Sequence, residues 1–293
     1  MRVSATLLAA ALALVSFPHP AQGANLRVLT SFLPMYLFTR NVAGDAPGVT
    51  VEMMLPASLG CPHDYSLSPG DMRKIAGADL FLANGLGMED FLGAPVRRAN
   101  PAIPIVETAS SVPPLLAGGG RGDPNPHTWV SPRNAIVQVR AIEKALSAAS
   151  PGNGPAFRRN ADAYVARLES LAREFDEAAG RFRRRNIVTF HNVFDYLARD
   201  LGLTVVGYIE GAPGQEPSAG EMRDLIRAVR EKGAAAVFAE PQYPERLAAM
   251  VAAEAGVPVV VLDPVSTGAT APTTYEEVMR ENLRTLTEAL GTR

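Results

Sequence analysis

The chain has 293 residues, 47% of them hydrophobic, and a formal net charge of −2. This length is sufficient for two domains of ordinary size. The charge is close to neutral and Arg181-Phe-Arg-Arg-Arg185 is the one basic block, which excludes the electrostatic footprint of a nucleic-acid-binding protein. We expect this arginine cluster to end a helix, because cations suit the negative end of the helix dipole.

Residues 1–23 have the pattern of a secretory signal peptide. Arg2 supplies a positive charge, Ala5 to Phe17 are largely apolar, and Ala21-Gln22-Gly23 is a small-x-small cleavage pattern. The apolar run is too short to span a membrane. Cys61 is the only cysteine, so none stands at the predicted cleavage site. We therefore expect a periplasmic protein without a lipid anchor and without an intramolecular disulfide.

The first half of the exported chain alternates predicted strands and helices. Ser68-Pro-Gly-Asp71 starts a helix, because serine caps it, proline fits the first turn and the acid suits the dipole. Ser131-Pro132 opens another helix, after a long loop from Ala109 to Pro126. The other predicted elements of this half are the strands Leu26–Ser31, Val49–Leu55, Asp79–Ala83 and Ile103–Val106 and the helix Pro34–Val42.

After a break at Pro151 to Pro155, the longest helical pattern runs from Ala156 to about Arg185. Its apolar residues recur near helical spacing, at Ala163, Leu168, Leu171, Phe175 and Ala179. A helix of this length spans about 40 Å at 1.5 Å per residue, which is enough to connect two domains.

The second half repeats the alternation. Its predicted strands are Ile187–Phe190, Thr204–Tyr208, Ala236–Ala239 and Pro258–Leu262, and its predicted helices begin at Asn192, at the capping box Ser218–Glu221, between the last two strands and at Thr274. Such alternation predicts an α/β protein with two lobes of mostly parallel sheet flanked by helices. The predicted divisions are a signal peptide (1–23), an N-terminal lobe (24–152), a linking helix (153–185) and a C-terminal lobe (186–293).

Three histidines remain after signal cleavage, and all lie in loops or at predicted strand ends: His63, His127 and His191. Neutral imidazole is the commonest protein ligand for transition metals, so we interpret them as a metal site. Asp263 is the best candidate for a fourth ligand, because it ends a strand and precedes a proline. Its alternative role is to cap that turn. Glu240 is the rival acid, and its alternative role is that of a structural carboxylate.

The predicted topology explains how these residues could meet. In open α/β sheets, ligands bind outside the carboxyl ends of the strands. His191 and Asp263 lie at strand ends of the second half, whereas His63 and His127 lie in loops of the first half. A cleft between two lobes satisfies all four placements. Cys61 is too close to His63 to share a metal without crowding, so we interpret it as a small packed residue.

Several motifs, in this order, resemble those of the zinc/manganese-type solute-binding proteins of ABC transporters, the TroA-like and ZnuA-like family. They are His63 with Ser68-Pro69, Ala78-Asp-Leu80 with Asn84-Gly-Leu-Gly-Met-Glu89, Asn125-Pro-His-Thr-Trp-Val-Ser-Pro132, Phe190-His191 with Asp195-Tyr-Leu197, and Phe238-Ala-Glu-Pro-Gln242 with Leu262-Asp-Pro264. The resemblance covers essentially the whole exported chain. It implies two α/β lobes joined by one long helix, with the metal ligands His63, His127, His191 and Asp263.

The resemblance also implies a function. Three imidazoles and one carboxylate suit tetrahedral zinc, and the alternative is a homologue that binds manganese or iron. We expect a monomer that captures a divalent ion and delivers it to a membrane permease. Two residues depart from the family pattern, because Asn125 and Ser131 stand where aspartates are usual around His127. That departure predicts weaker support of His127 without loss of the ligand.

Two other classes of function stay open at this point. A zinc-dependent enzyme would need an open coordination position and a general base, for which Glu240 is the one candidate. The chain has no His-Glu-x-x-His motif, and Asp263 would fill the fourth position, so we expect no enzyme. A periplasmic metal chaperone would share the same site. The tripeptide Arg121-Gly122-Asp123 matches a cell-adhesion motif, but such short matches arise by chance.

Overall fold

The computed structural model describes residues 25–60, 62, 65–116, 122–210 and 217–291. The predicted signal peptide lies outside the described residues, as do Cys61, His63 and Arg121. No helix in the described part of the chain is both long and apolar enough to cross a membrane.

The first lobe is built on a parallel sheet of four strands in the order β2-β1-β3-β4. The strands are β1 (Leu26–Thr30), β2 (Val49–Met53), β3 (Leu80–Ala83) and β4 (Ile105–Glu107). Every strand pair is parallel, so all four carboxyl ends lie at one edge of the sheet. The strand order reverses between β1 and β3, which is where open sheets of this kind leave a crevice.

The second lobe repeats this arrangement with the order β6-β5-β7-β8. Its strands are β5 (Asn186–Thr189), β6 (Thr204–Tyr208), β7 (Val237–Ala239) and β8 (Val259–Val261). They too are all parallel, and β5 and β7 are the two central neighbours. Residues that follow β5 and β7 are therefore brought together at the reversal point of this sheet.

Helices connect the strands of both lobes. They are α1 (Leu33–Ala43), α2 (Pro69–Gly77), α3 (Gly93–Ala99), α4 (Pro132–Ala149), α5 (Gly154–Ala179), α6 (Asp195–Leu201), α7 (Ala219–Lys232), α8 (Arg246–Ala255) and α9 (Thr274–Gly291). The predicted serine caps are observed at Ser68, Ser131 and Ser218, each of which accepts a hydrogen bond from the backbone three residues later. The α3 helix is an addition to the predicted elements.

The long helix α5 is shorter than its pattern predicts, since it ends at Ala179 rather than near Arg185. The arginine cluster follows the helix instead of forming its last turn. Arg185 nevertheless acts on helix ends, because its guanidinium donates to the carbonyls of Ala179 (2.8 Å) and Leu201 (2.7 Å), the last residues of α5 and α6. A cation at two negative helix termini is the favourable placement expected of this cluster.

The second lobe has a hydrophobic cluster of its own, and a larger hydrophobic core extends across both lobes. Buried side chains of α5, from Phe157 to Ala179, belong to it. The C-terminal helix α9 packs against α1 and α5, and the rings of Phe38 and Tyr275 meet edge to face with centroids 5.0 Å apart. Trp129 adds a direct link between the lobes, because its indole donates to the carbonyl of Pro264 at 2.7 Å.

Candidate metal centre

His191 lies two residues beyond β5, and Glu240 directly follows the neighbouring strand β7. Because the strands are parallel, both side chains emerge at the same edge of the sheet. His191 Nδ1 lies 2.7 Å from Glu240 Oε1, and the two residues are only 3% and 2% exposed. Gln242 holds the carboxylate in place, since its Nε2 donates to Glu240 Oε2 at 2.6 Å.

This pairing fixes the chemistry of the imidazole. A carboxylate can only accept a hydrogen bond, so the proton of neutral His191 sits on Nδ1. The lone pair is then on Nε2, the atom through which such a histidine coordinates a metal. The Glu240 side chain thus orients the His191 imidazole and fixes its tautomer.

His127 is 1% exposed and is held in a similar way by a neutral group. Asn125 Oδ1 lies 2.8 Å from His127 Nδ1 and also accepts from the His127 backbone at 3.0 Å. The amide cannot be reversed, because its Nδ2 faces two acceptors, the carbonyl of Asn192 at 2.8 Å and Asp195 Oδ2 at 3.2 Å. His127 therefore also carries its proton on Nδ1 and presents the lone pair of Nε2.

The structure brings these two histidines together from different lobes. Their ring centroids are 5.0 Å apart and the rings are inclined by 77°. Aromatic side chains lie beside the pair. The ring centroid of Trp129 is 5.4 Å from that of His127, and the ring centroid of Tyr243 is 5.7 Å from that of His191. Two buried imidazoles with matched tautomers suit a soft or borderline cation such as a first-row transition metal.

Asp263 lies two residues beyond β8 and is partly buried. Its Oδ1 accepts from the backbone of Val265 at 2.7 Å, which is the turn-capping role considered above. Burial raises the pKa of Asp263, and nearby Glu240 raises it further, so a cation beside the two acids would be favourable. The turn is strained, because Val265 has φ 60°, an uncommon value for a β-branched residue.

His63 lies outside the described residues, but the chain on either side of it is anchored. Before it, the carbonyl of Ala57 accepts from the backbone of Gly268 in the other lobe at 3.0 Å. After it, Asp71 accepts from the Tyr65 hydroxyl at 2.6 Å. Within the described residues, no three His, Cys, Asp or Glu side chains form a group that could hold a metal ion.

Two contributors to this region, Asp195 and Asn282, were given no role by the sequence analysis. Asp195 begins α6 one helical turn after His191, and its contact with Asn125 spans 70 positions. Asn282 on α9 holds Asp263 by its backbone, accepting from the Asp263 amide at 2.9 Å and donating to the Asp263 carbonyl at 2.7 Å. The spacing from His191 to Asp195 was visible in the sequence, whereas the position of Asn282 depends on how α9 packs.

Two parallel-sheet lobes, one long connecting helix and a pair of buried imidazoles between the lobes define the class: an extracytoplasmic solute-binding protein with a metal-type site. The chain belongs to the family described as ZnuA, zinc-uptake complex component A, periplasmic, whose model matches residues 28–289. The resemblance inferred from the motifs is thereby confirmed.

Relatives agree with this assignment. The chain is 32% identical to the zinc-binding lipoprotein AdcA of Streptococcus pneumoniae, over 96% of this chain and 59% of AdcA. It is 27% identical to the high-affinity zinc uptake system protein ZnuA of Bacillus subtilis, over 92% of this chain and 89% of that protein. The chain thus spans little more than half the length of the AdcA relatives and most of the ZnuA relative.

Solved structures confirm the predicted fold class. The solute-binding protein FpvC of Pseudomonas aeruginosa in complex with Mn²⁺ matches with a TM-score of 0.81 and 31% identity, over 91% of this chain and 98% of that chain. A zinc-bound ZnuA deletion mutant matches with a TM-score of 0.81 and 28% identity, over 92% and 99% of the two chains.

Proposed function

We propose that this chain captures one zinc ion between its lobes and delivers it to the permease of an ABC transporter. The observation that carries the proposal is the pair of buried imidazoles, His127 and His191, contributed by different lobes and 5.0 Å apart. Each is held at Nδ1, so that in each ring the lone pair that would coordinate a metal is on Nε2. Family membership and relatives named for zinc binding or zinc uptake support the same conclusion.

The proposed ligands are His63, His127, His191 and Asp263. Three nitrogens and one oxygen suit four-coordinate zinc, whereas a site richer in carboxylates would favour manganese. The engagement of Glu240 with His191 and Gln242 favours Asp263 as the oxygen ligand. Manganese remains the alternative ion, and the FpvC structures with Mn²⁺ and Ni²⁺ show that proteins of this fold can hold other metals.

A transport role is favoured over catalysis. The family is one of solute-binding transport proteins. Catalytic zinc needs an open position and a general base. Here Asp263 would close the fourth position, and both oxygens of Glu240 are engaged, one by His191 and the other by Gln242. We therefore propose that the protein is not an enzyme and that it acts as a monomer.

The proposed location is the periplasm, reached through the predicted signal peptide. The S. pneumoniae relative is named a lipoprotein, so a lipid-free form of this chain stays a prediction. Mass spectrometry of the exported protein tests it. We expect an N-terminus at Ala24 and no added acyl mass, and an acylated N-terminus would contradict the prediction.

Purification from the periplasm without added metal, followed by elemental analysis and competition titration, tests the proposed function. We expect one zinc ion per chain and a preference for zinc over manganese of several orders of magnitude. Equal affinity for the two ions, or a preference for manganese, would contradict the metal assignment. A permease that takes up zinc equally well with and without this protein would contradict the delivery role.

A further inference from the structure

The helix α6 of the second lobe supplies two aspartates to the segment around His127 in the first lobe. Asp195 Oδ2 accepts from Asn125 Nδ2 at 3.2 Å, and Asp200 Oδ2 accepts from the hydroxyl of Ser131 at 2.5 Å. Asn125 and Ser131 flank His127 and are both neutral. The negative charge near this ligand therefore comes from the opposite lobe.

Asp195 is fixed from its own lobe as well. The Tyr208 hydroxyl, at the end of β6, lies 3.0 Å and 3.1 Å from the two Asp195 oxygens and donates to this carboxylate. The contacts form one directional series, in which Tyr208 and Asn125 donate to Asp195 and His127 donates to Asn125. Because Asp195 can only accept, the Asn125 amide must turn its oxygen toward His127.

We propose that Asp195 is a positioning residue for the metal ligand His127, acting through Asn125, and that metal affinity consequently depends on the approach of the two lobes. This inference rests on the proposed zinc-binding function. When α6 and the turn that precedes it move away from Asn125, the amide loses its acceptors Asp195 and Asn192 together, and the orientation of His127 is no longer imposed. Opening the lobes thus loosens a ligand without any direct contact between α6 and the metal.

The same helix, α6, also holds the loop that precedes His127. The Tyr196 hydroxyl, next to Asp195, donates to the carbonyl of Asn125 at 2.8 Å and accepts from the backbone of Leu115 at 3.0 Å. The loop is thus hydrogen-bonded to α6 at two positions, Leu115 and Asn125. A single short helix therefore holds both the backbone and the side chain of Asn125.

The test compares Asp195→Ala with Asp195→Asn by zinc competition titration of the full chain. Asparagine at 195 still offers an oxygen to the Asn125 amide, so we expect affinity within about 3-fold of wild type. Alanine removes the acceptor, so we expect a loss of about 10-fold. An equal loss in both variants would contradict positioning and show that the charge of Asp195, or direct ligation, is what matters.

A double-mutant cycle tests whether Asp195 affects zinc affinity through Asn125. If Asp195 acts through Asn125, then Asp195→Ala in an Asn125→Ala background should lower zinc affinity by less than about 2-fold, because coupled residues are not additive. Full additivity of the two losses would overturn the proposal. Tyr208→Phe, which removes the donor to Asp195, provides the same comparison if Asp195→Ala fails to fold.

The matched control is Asp200→Ala, which breaks a different interlobe contact of α6, at Ser131. We expect its zinc affinity to stay within about 2-fold of wild type, because Ser131 is not bonded to His127. A loss as large as that of Asp195→Ala would mean that general loosening of the interface explains both, and would contradict the proposal. Wild-type protein that fails to bind zinc contradicts the proposed function itself, a result distinct from unchanged affinity in the variants.

Discussion

At the scale of residues, the two buried imidazoles have chemically different partners. His191 meets the carboxylate of Glu240, whereas His127 meets the neutral amide of Asn125. A carboxylate raises the basicity of a coordinating imidazole more than an amide does. The two partners also fix the tautomer of each ring, so changing either one should alter metal affinity without removing a ligand.

The oxygen ligand is tested by comparing Asp263→Ala with Glu240→Gln. Removing Asp263 should weaken zinc binding by roughly 10-fold or more and change the visible spectrum of the Co²⁺-substituted protein, because a ligand is lost. Glutamine at 240 still accepts from His191 Nδ1, so the Co²⁺ spectrum should be retained. Cys61→Ser serves as a control with unchanged affinity. The reverse pattern of spectra would identify Glu240 as the ligand.

Glu89 predicts a pH dependence of stability that is separate from metal binding. Its two oxygens accept from the backbones of Asn84 (2.8 Å) and Gly85 (2.9 Å), and burial raises the pKa of its carboxyl to about 7. The folded protein therefore holds this proton more tightly than the unfolded chain does. Stability from this group is present at low pH and is lost as pH rises from about 4.5 to about 7, by on the order of 3 kcal/mol.

Urea unfolding of metal-free protein at pH 5 and pH 8 measures this contribution. We expect the unfolding free energy of the wild type to fall more between pH 5 and pH 8 than that of Glu89→Gln, because the variant has no ionisable group at this position. Subtracting the variant from the wild type cancels the contribution of the buried histidines. Parallel pH profiles for the two proteins would show that Glu89 is not protonated in the folded state.

The histidines could be predicted from the sequence as site residues, because loops and strand ends place side chains at a known edge of a parallel sheet. It could not assign the partners of those histidines. Asn125 could be read as a departure from the family pattern, but the acceptor that orients it, Asp195, belongs to the other lobe. The support of His127 is therefore set by how the lobes approach each other, which local sequence does not encode.

At the scale of elements, helix starts were predictable and some helix ends were not. Serine caps mark a start chemically, whereas α5 ends at Ala179 with Gly180 still in a right-handed conformation. The end is stabilised by Arg185, whose guanidinium bonds the Ala179 carbonyl from six residues away. The α3 helix was not predicted because Gly93 and Pro95 within it are typical of turns, so packing outweighs local preference there.

The helix α5 should act as a stiff strut between the lobes. It is one continuous segment of 26 residues whose apolar face is buried along its length. A wide hinge motion would have to expose part of the shared core, so metal release should come from local loop rearrangement or a small tilt of one lobe. Small-angle scattering of metal-free and zinc-bound protein should therefore give nearly the same radius of gyration.

Hydrogen exchange of the same two samples locates the change. We expect zinc to increase protection locally, in residues 54–60 and 122–127, which adjoin the predicted ligands. The strands of both sheets should exchange alike in the two states and serve as the internal control. A large change in radius of gyration, with rigid lobes on either side, would contradict the strut.

At the scale of the whole molecule, alternation of strands and helices was sufficient to predict two parallel-sheet lobes. The packing of α9 against α1 of the first lobe was not predictable in the same way. An amphipathic pattern shows that a helix buries one face, but not which surface covers it. The shared core and the contact between Trp129 and Pro264 are consequences of that packing.

Zinc binding should weaken steeply as pH falls below about 6.5, because each ligating imidazole must lose its proton to coordinate. Zinc competes with protons for three histidines, so its affinity should depend on pH more steeply than at a site with a single histidine. Dissociation constants measured at pH 7.5 and pH 5.5, with circular dichroism to verify folding at both, test this expectation. Affinity that stays flat over this range would argue against histidine ligation.

The central claim is that one zinc ion binds between the lobes through His63, His127, His191 and Asp263. A crystal structure of the zinc-bound protein, with anomalous data collected at the zinc absorption edge, measures this directly. We predict a single peak per chain, at about 2.0–2.2 Å from one nitrogen of each histidine and one oxygen of Asp263. A peak away from the His127–His191 pair, or one coordinated by Glu240 in place of Asp263, would contradict the account.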